Sequence, residues 1–487
     1  MISSEQFDAP HRGEQPQRFD VCEVDRADDE RAGLGRPFAP EARPSVDGVG
    51  ADYPHAAARS PLASTGHVRE RRPAALGPER RSFARAAPSI AANALELEPL
   101  AMRDEAAPAP IPVAPLYGNR FGAARSRALE TYGGSPETER SVQAGLAYLA
   151  SVQQPDGGWG RRHRDAKYGD VRIGKTGLAL LAFLGAGHVP GRDGAHRETV
   201  ERAIAYLTRE VGSEGHIGDS NAYGHGIATY ALAEAYALTS LTSLEAPLTK
   251  ALGHLVANQT LVRDARNHGG WGYYGRRGGS AQRGDGWSRV SVTAWQVMAL
   301  VSAASSGFEL PGGTLEYART FLTSSWDERL GAYRYAHDPE RLRSLYATLP
   351  ASTPAALFAL SLLGEDIAGP RYQRARRYIL ERLPTRLVAA QERDFVLQGD
   401  GNLYYWAYAT LALFRVGGDE WQRWNLALKD LLLPAQAQDG SWPSESPYSQ
   451  FADDHDHTYS TALAVLMLEV YYRYVTPTVQ SGAILVR

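Results

Sequence analysis

Cysteine is all but missing from this 487-residue chain. Cys22 stands alone, which excludes an internal disulfide and any zinc or iron–sulfur site built from several thiolates. Lysine is scarce too, with four residues against 48 arginines, a bias that folding does not require and that reads as base composition in the source. No run of 18 apolar residues occurs, and the start MISSEQFDAPHRGEQ lacks the basic-then-apolar order of a signal peptide. Neither a membrane span nor secretion is expected, and the expected location is cytoplasmic. Excess charge of either sign is also lacking: 52 basic and 55 acidic side chains leave a formal net charge of −3, which argues against nucleic acid as a main partner. Tryptophan is absent from the first 115 residues, a stretch that holds 15 of the 29 prolines.

Arg, Asp, Glu, Ala and Pro dominate those 115 residues, and apolar side chains recur there at neither period 2 nor period 3.6. Such a segment buries too little surface to offset its ordering entropy. Residues 1–115 are therefore expected to be a disordered tail and linker, and residues 116–487 the folded part.

The folded part repeats one unit: an amphipathic helix, a glycine-containing turn with an aromatic, and a helix apolar on nearly every side. In the first copy Val142, Leu146, Tyr148, Leu149 and Val152 form the outer stripe, QQPDGGWG (153–160) the turn and TGLALLAFLGAG (176–187) the second helix. The turn positions Trp159, Ile217, Trp271 and Tyr333 are 58, 54 and 62 residues apart, and six helix pairs can be read in all. In the fifth pair the turn motif is missing, and its outer helix carries a basic run, Arg374, Arg376 and Arg377, that reads as a solvated face. A helix that is apolar all round must be covered on both sides. The simplest solution is an all-α (α/α)6 toroid in which six outer helices enclose six inner ones and the last pair closes on the first; an open superhelix is the competing topology. Within each turn, glycine permits a sharp exit from the helix, glutamine satisfies free backbone groups and the indole fills the seam between pairs.

Residues 153–159 (QQPDGGW) and 436–442 (QAQDGSW) resemble the QW repeats of the squalene cyclase and protein prenyltransferase superfamily. The resemblance covers residues 138–475 and extends to bacterial prenyltransferase/squalene oxidase repeat proteins. It implies an α/α toroid and a cavity that handles an isoprenoid or another apolar small molecule. Within the resemblance, Asp454-His455-Asp456-His457-Thr458 is similar to the DxDDT motif of class II terpene cyclases, with Asp456 matching the protonating Asp. The sequence departs from that motif at His457 and carries it before the last inner helix.

Polar residues just ahead of the inner helices should gather at one mouth of the ring, where helix N-termini favour negative charge. Candidate catalytic residues are Asp456, Asp454, His457, Asp285 and His225. Candidate substrate contacts are Trp287, Trp295, Tyr404, Tyr405, Trp406 and Tyr223, whose faces would stabilise a carbocation. N-capping and core packing are the plain alternatives for these residues. Two other readings of the whole chain compete with the cyclase: a non-catalytic binding or scaffold module, and a metal-dependent prenyltransferase-like enzyme. The latter lacks the cysteine that the resemblance implies for its zinc site, and no metal or cofactor is expected. A peripheral contact between the mouth and a membrane stays open.

Overall fold

The computed structural model describes residues 115–160, 171–273, 286–339, 342, 347–389, 391, 393–442 and 454–474. Residues 1–114, nearly all of the expected tail, lie outside them. Capping starts the first outer helix. Ser135 and Thr138 form a reciprocal capping box around Pro136, with Glu137 and Glu139 in the first turn, where carboxylates meet the positive end of the helix dipole. This helix follows α1 (Gly122–Tyr132) and is α2 (Pro136–Ser151); it buries Val142, Leu146 and Leu149 and leaves its opposite face wet.

The remaining outer helices are α4 (Arg197–Arg209), α6 (Glu245–Ala257), α8 (Thr314–Ser324), α10 (Gln373–Leu380) and α12 (Gly418–Leu432). Between them run the inner helices α3 (Arg172–Gly185), α5 (Ala222–Thr239), α7 (Val290–Ser305), α9 (Ser352–Leu362), α11 (Leu403–Val416) and α13 (Thr458–Leu468). α3 is buried along its whole length, and α5 from Gly224 to Thr239. Each inner helix packs on the next, and α13 returns to pack on α3. The ring is closed, and the chain is an (α/α)6 toroid over its described residues. A last short helix, α14 (Val470–Arg473), follows α13. No helix among the described residues is long and apolar enough to cross a membrane.

The turn motif works as a joint between pairs. The Gln153 amide donates to Gly157 O in its own turn (3.0 Å) and to Thr199 O in the next outer helix (2.9 Å). Gln259 joins Gly269 O and Thr314 O in the same way, and Gln436 joins Gly440 O and Ser141 O, which ties the sixth pair to the first. The indoles of Trp159, Trp271 and Trp442 donate to Leu149 O, Leu255 O and Leu432 O. The main-chain N–H groups of Trp159, Trp271, Tyr333 and Trp442 meet the hydroxyls of Thr176, Thr293, Thr353 and Thr461 at 3.0–3.2 Å. Gly269 (φ +95°) is required on two counts. Its backbone is left-handed, and a Cβ there would stand 2.0 Å from Tyr317 O in the next outer helix.

One expectation for the outer layer is corrected. Arg376 does not face solvent; it is buried, with its guanidinium on Glu420 (2.6 Å) and on the carbonyls of Ile367 and Gly369.

The end of the ring at which the inner helices finish is crossed by a 3-10 helix, Pro115–Arg120, and by α14. The end at which they start is the mouth. Residues 161–170, 274–285 and 443–453, which precede α3, α7 and α13 in the sequence, lie outside the described residues.

Candidate functional site

At the mouth the first and last pairs are joined by charge. Lys175, in the first turn of α3 and buried, places Nζ 2.6 Å from Asp456 Oδ1. The same oxygen accepts from Thr458 N–H (3.2 Å), and the Asp456 carbonyl accepts from the Tyr148 hydroxyl (3.0 Å). Beside this pair, Arg172 holds Asp156 through both guanidinium nitrogens at 2.7 and 2.5 Å.

Asp454 is buried under the start of α13, where its two oxygens accept from the main-chain N–H groups of Tyr459 (2.6 Å) and Ser460 (3.1 Å). Burial pushes its carboxyl above the ordinary value, against the pull of Ser460 and Lys175. This is the geometry of a helix cap. Asn221 and Asn402 cap α5 and α11 in the same manner. His457 lies between the two aspartates and α13 with a left-handed backbone (φ +46°) and Nδ1 3.4 Å from Ser441 Oγ. Asp285 lies outside the described residues.

His225 does not join this group. Its Nδ1 accepts from Ile217 N–H (3.4 Å), the role that a threonine hydroxyl plays in four other pairs, and its Nε2 lies 3.2 Å from Ala251 O on α6. The ring therefore points outward, stacked on His216 and edge-on to His254. Burial and the two neighbouring imidazoles hold it well below the usual histidine range, so it packs as a neutral ring. Among the described residues no group of three His, Cys, Asp or Glu side chains is arranged to hold a metal ion.

Behind the mouth, on the ring axis, lies a cavity of about 30 Å3 walled by Trp295, Tyr404, Tyr408, Tyr230, Tyr474 and Met298, among other apolar side chains. The polar atoms of the wall pair with one another. Trp295 Nε1 donates to the Tyr404 hydroxyl (2.9 Å), the Tyr408 hydroxyl to Met298 Sδ (3.9 Å), and the phenols of Tyr230 and Tyr474 meet at 2.5 Å. The rings meet at steep angles, Trp295 with Tyr408 at 64° and Tyr404 with Tyr408 at 74°, as quadrupoles prefer. Tyr223 continues the wall toward the mouth, edge-on to Tyr404 and hydrogen-bonded to Ser291. Trp287 is half-buried just ahead of α7.

Two expected wall residues face elsewhere. Tyr405 donates to Ile379 O and Arg382 O and packs on Trp424 of α12, on the outer side of α11. Trp406 is fully buried and is not part of the cavity wall. Positions 404 and 408 are one turn apart and share a face, whereas 405 and 406 are rotated away from it.

A third feature lies at the rear of the cavity. Arg473 lines the floor of the cavity, and with Arg120, Glu234 and Glu469 it forms a fully buried cluster. Arg120 reaches Glu234 at 2.7 Å, and Arg473 reaches Glu234 at 3.0 Å and Glu469 at 2.8 Å. Burial pushes Glu469 up to about 8, against the pull of Arg473 and Arg120. The available signal was a pair of opposite charges four residues apart, Glu469 and Arg473, in an otherwise apolar and aromatic helical stretch.

No family model and no curated relative matches the sequence. Solved structures similar to this chain include the type II terpene cyclase MstE from Scytonema without ligand, at 18% identity and TM-score 0.47, covering 68% of this chain and 97% of that one. A variant of MstE in complex with geranylgeranyl dihydroxybenzoate is similar at 17% identity and TM-score 0.48, covering 71% and 99%. An inactive variant of an alpha-1,6-mannanase of Salegentibacter sp., in complex with alpha-1,6-mannotriose, matches at 11% identity and TM-score 0.47, covering 69% and 99%.

Proposed function

We propose that the protein binds an apolar, isoprenoid-type molecule, with its hydrocarbon part in the aromatic lumen and any polar end at the mouth beside Lys175, Asp456 and His457. The observation that carries this reading is the axial cavity, whose wall presents ring faces and aliphatic atoms because its phenols and indole are paired with each other. Trp295 and Tyr404, with Tyr223 and Trp287 nearer the mouth, are the proposed ligand contacts. At about 30 Å3 the cavity holds about two waters, whereas a lipid needs several hundred Å3. Binding then requires the wall to give, and Met298 and Met467 are the adaptable side chains in it.

Asp-driven protonation of a double bond, as in a class II cyclase, is the catalytic form of this reading, with Asp456 as the acid and Asp454 and His457 beside it. It requires the Lys175 ion pair to open, because Asp456 Oδ1 is engaged by Lys175 Nζ and by Thr458 N–H and does not face a substrate while that pair holds. The small cavity also favours a second reading, a scaffold whose lumen is simply its core.

Incubation of the full-length protein with squalene and with prenyl diphosphates separates these readings. Bound ligand is detected by native mass spectrometry, and products by mass spectrometry of the lipid extract. We expect a one-to-one complex that Ala407→Phe, which fills the cavity, abolishes. Conversion by wild type but not by Asp456→Asn supports the cyclase form. If wild type neither binds nor converts any of these molecules, the ligand reading is wrong and the scaffold stands.

A further inference from the structure

We propose that Pro115–Arg120, together with the start of α1, is a latch across the rear of the ring, and that the apolar ligand reaches the lumen at that end when the latch lifts. The proposal rests on the reading of the lumen as a ligand chamber.

The segment is held by a few long-range contacts to several elements at once. Tyr117 and Arg120 are buried. The Tyr117 hydroxyl donates to Ser302 Oγ on α7 (2.8 Å). Arg120 donates to Leu184 O on α3 (2.9 Å), to Glu234 on α5 (2.7 Å) and to Arg473 O on α14 (3.1 Å), while its guanidinium lies 4.3 Å over the Tyr117 ring. Six residues thus bridge three inner helices and α14.

What the segment grips is the floor of the chamber. Arg473 and Tyr474 line the cavity, and Tyr474 packs on Tyr117, with ring centroids 6.3 Å apart. Tyr474 therefore has the lumen on one side and the latch on the other.

The grip is also incomplete. Arg120 Nη2 and Glu469 Oε2 are buried without a hydrogen-bond partner, and each such atom costs free energy that a satisfied core does not lose. A short segment held by a strained polar cluster opens as a unit of its own, below the stability of the helices it covers.

The test uses the full chain and all-trans-retinol, an isoprenoid probe whose fluorescence is excited by energy transfer from tryptophan. Stopped-flow association is compared between wild type and Arg120→Met, alongside amide exchange at residues 116–125. The proposal expects Arg120→Met to speed both association and exchange by on the order of tenfold, with exchange in α5 and α7 unchanged. Retinol binding at the wild-type rate, despite faster exchange in the latch, would overturn the latch as the route and leave the chamber intact. Absence of binding in both proteins would overturn the chamber and the proposal with it. Should Arg120→Met fail to fold, Tyr117→Phe keeps every buried charge and removes only the Ser302 bond. It should speed association by about threefold, and an unchanged rate in that variant counts against the latch equally.

Discussion

At the residue scale, the mouth turns on one ammonium. Lys175 is enclosed by its surroundings and has Asp456 opposite, so Lys175→Met leaves a carboxylate at a partly buried site without its counter-charge. We expect a loss of about 1–3 kcal/mol in urea unfolding. Asp456→Asn keeps an oxygen that accepts from Lys175 and Thr458 and should cost less. The DHDH run was legible in the sequence as a cluster of chemistry-bearing residues. Its partner was not, because Lys175 and Asp456 are 281 positions apart and only ring closure brings them together. Asp454 instead accepts from the main-chain N–H groups of Tyr459 and Ser460, its near neighbours in the chain, which is the local capping that is the plain alternative for such a residue.

Glu469 leads to a pH prediction. Its folded value, about 8, lies above the ordinary 4.5. Its protonation therefore contributes stability that is fully present below about 4.5 and is lost as pH rises through 8. His188, His254 and His337 are lowered to about 4, in each case chiefly by burial. Their stability contribution is present above about 6.5 and lost as pH falls toward 4. Between pH 6.5 and 8 only the glutamate should act among these four, so the melting temperature of wild type should fall with rising pH in that window. Glu469→Gln should flatten the profile there; an equal slope in both proteins would show that the carboxyl holds no proton at neutral pH.

At the element scale, the helix pairs and their joints were plain from periodicity, because the inner helices are apolar on every side and the outer ones on a single stripe. Which face of an inner helix meets the lumen was not. In α11, Tyr404, Tyr405, Trp406 and Tyr408 are indistinguishable by residue type, and only rotation about the helix axis assigns Tyr404 and Tyr408 to the cavity. The joints allow a sharp contrast between glycines. Gly269→Ala meets both a left-handed backbone and Tyr317 O at 2.0 Å, whereas Gly307 (φ +92°) has open space around its missing Cβ. We expect about 2–4 kcal/mol of destabilisation for the first and about 1–2 for the second in thermal or urea melts. Similar costs for the two would mean that the turn does not press on α8 as tightly as described.

At the scale of the whole molecule, the seam between the sixth pair and the first is, among the described glutamine joints, the one whose two sides are far apart in sequence. Gln436 and Ser141 are separated by 295 residues, and the other glutamine joints by about fifty. Successive pairs can dock as neighbours in the chain, but α13 cannot meet α3 until the pairs between them have set the curvature. Contacts of such high sequence separation slow folding, although the entropy of closing so long a loop grows only as the logarithm of its length. We expect the chain to pass through an open crescent before closure, with the aromatic wall of the future lumen facing water and two unmatched apolar flanks at its tips. Refolding yield should fall as concentration rises, because the flank of one crescent fits that of another as well as its own, and the time before closure is the period in which the chain is exposed to aggregation.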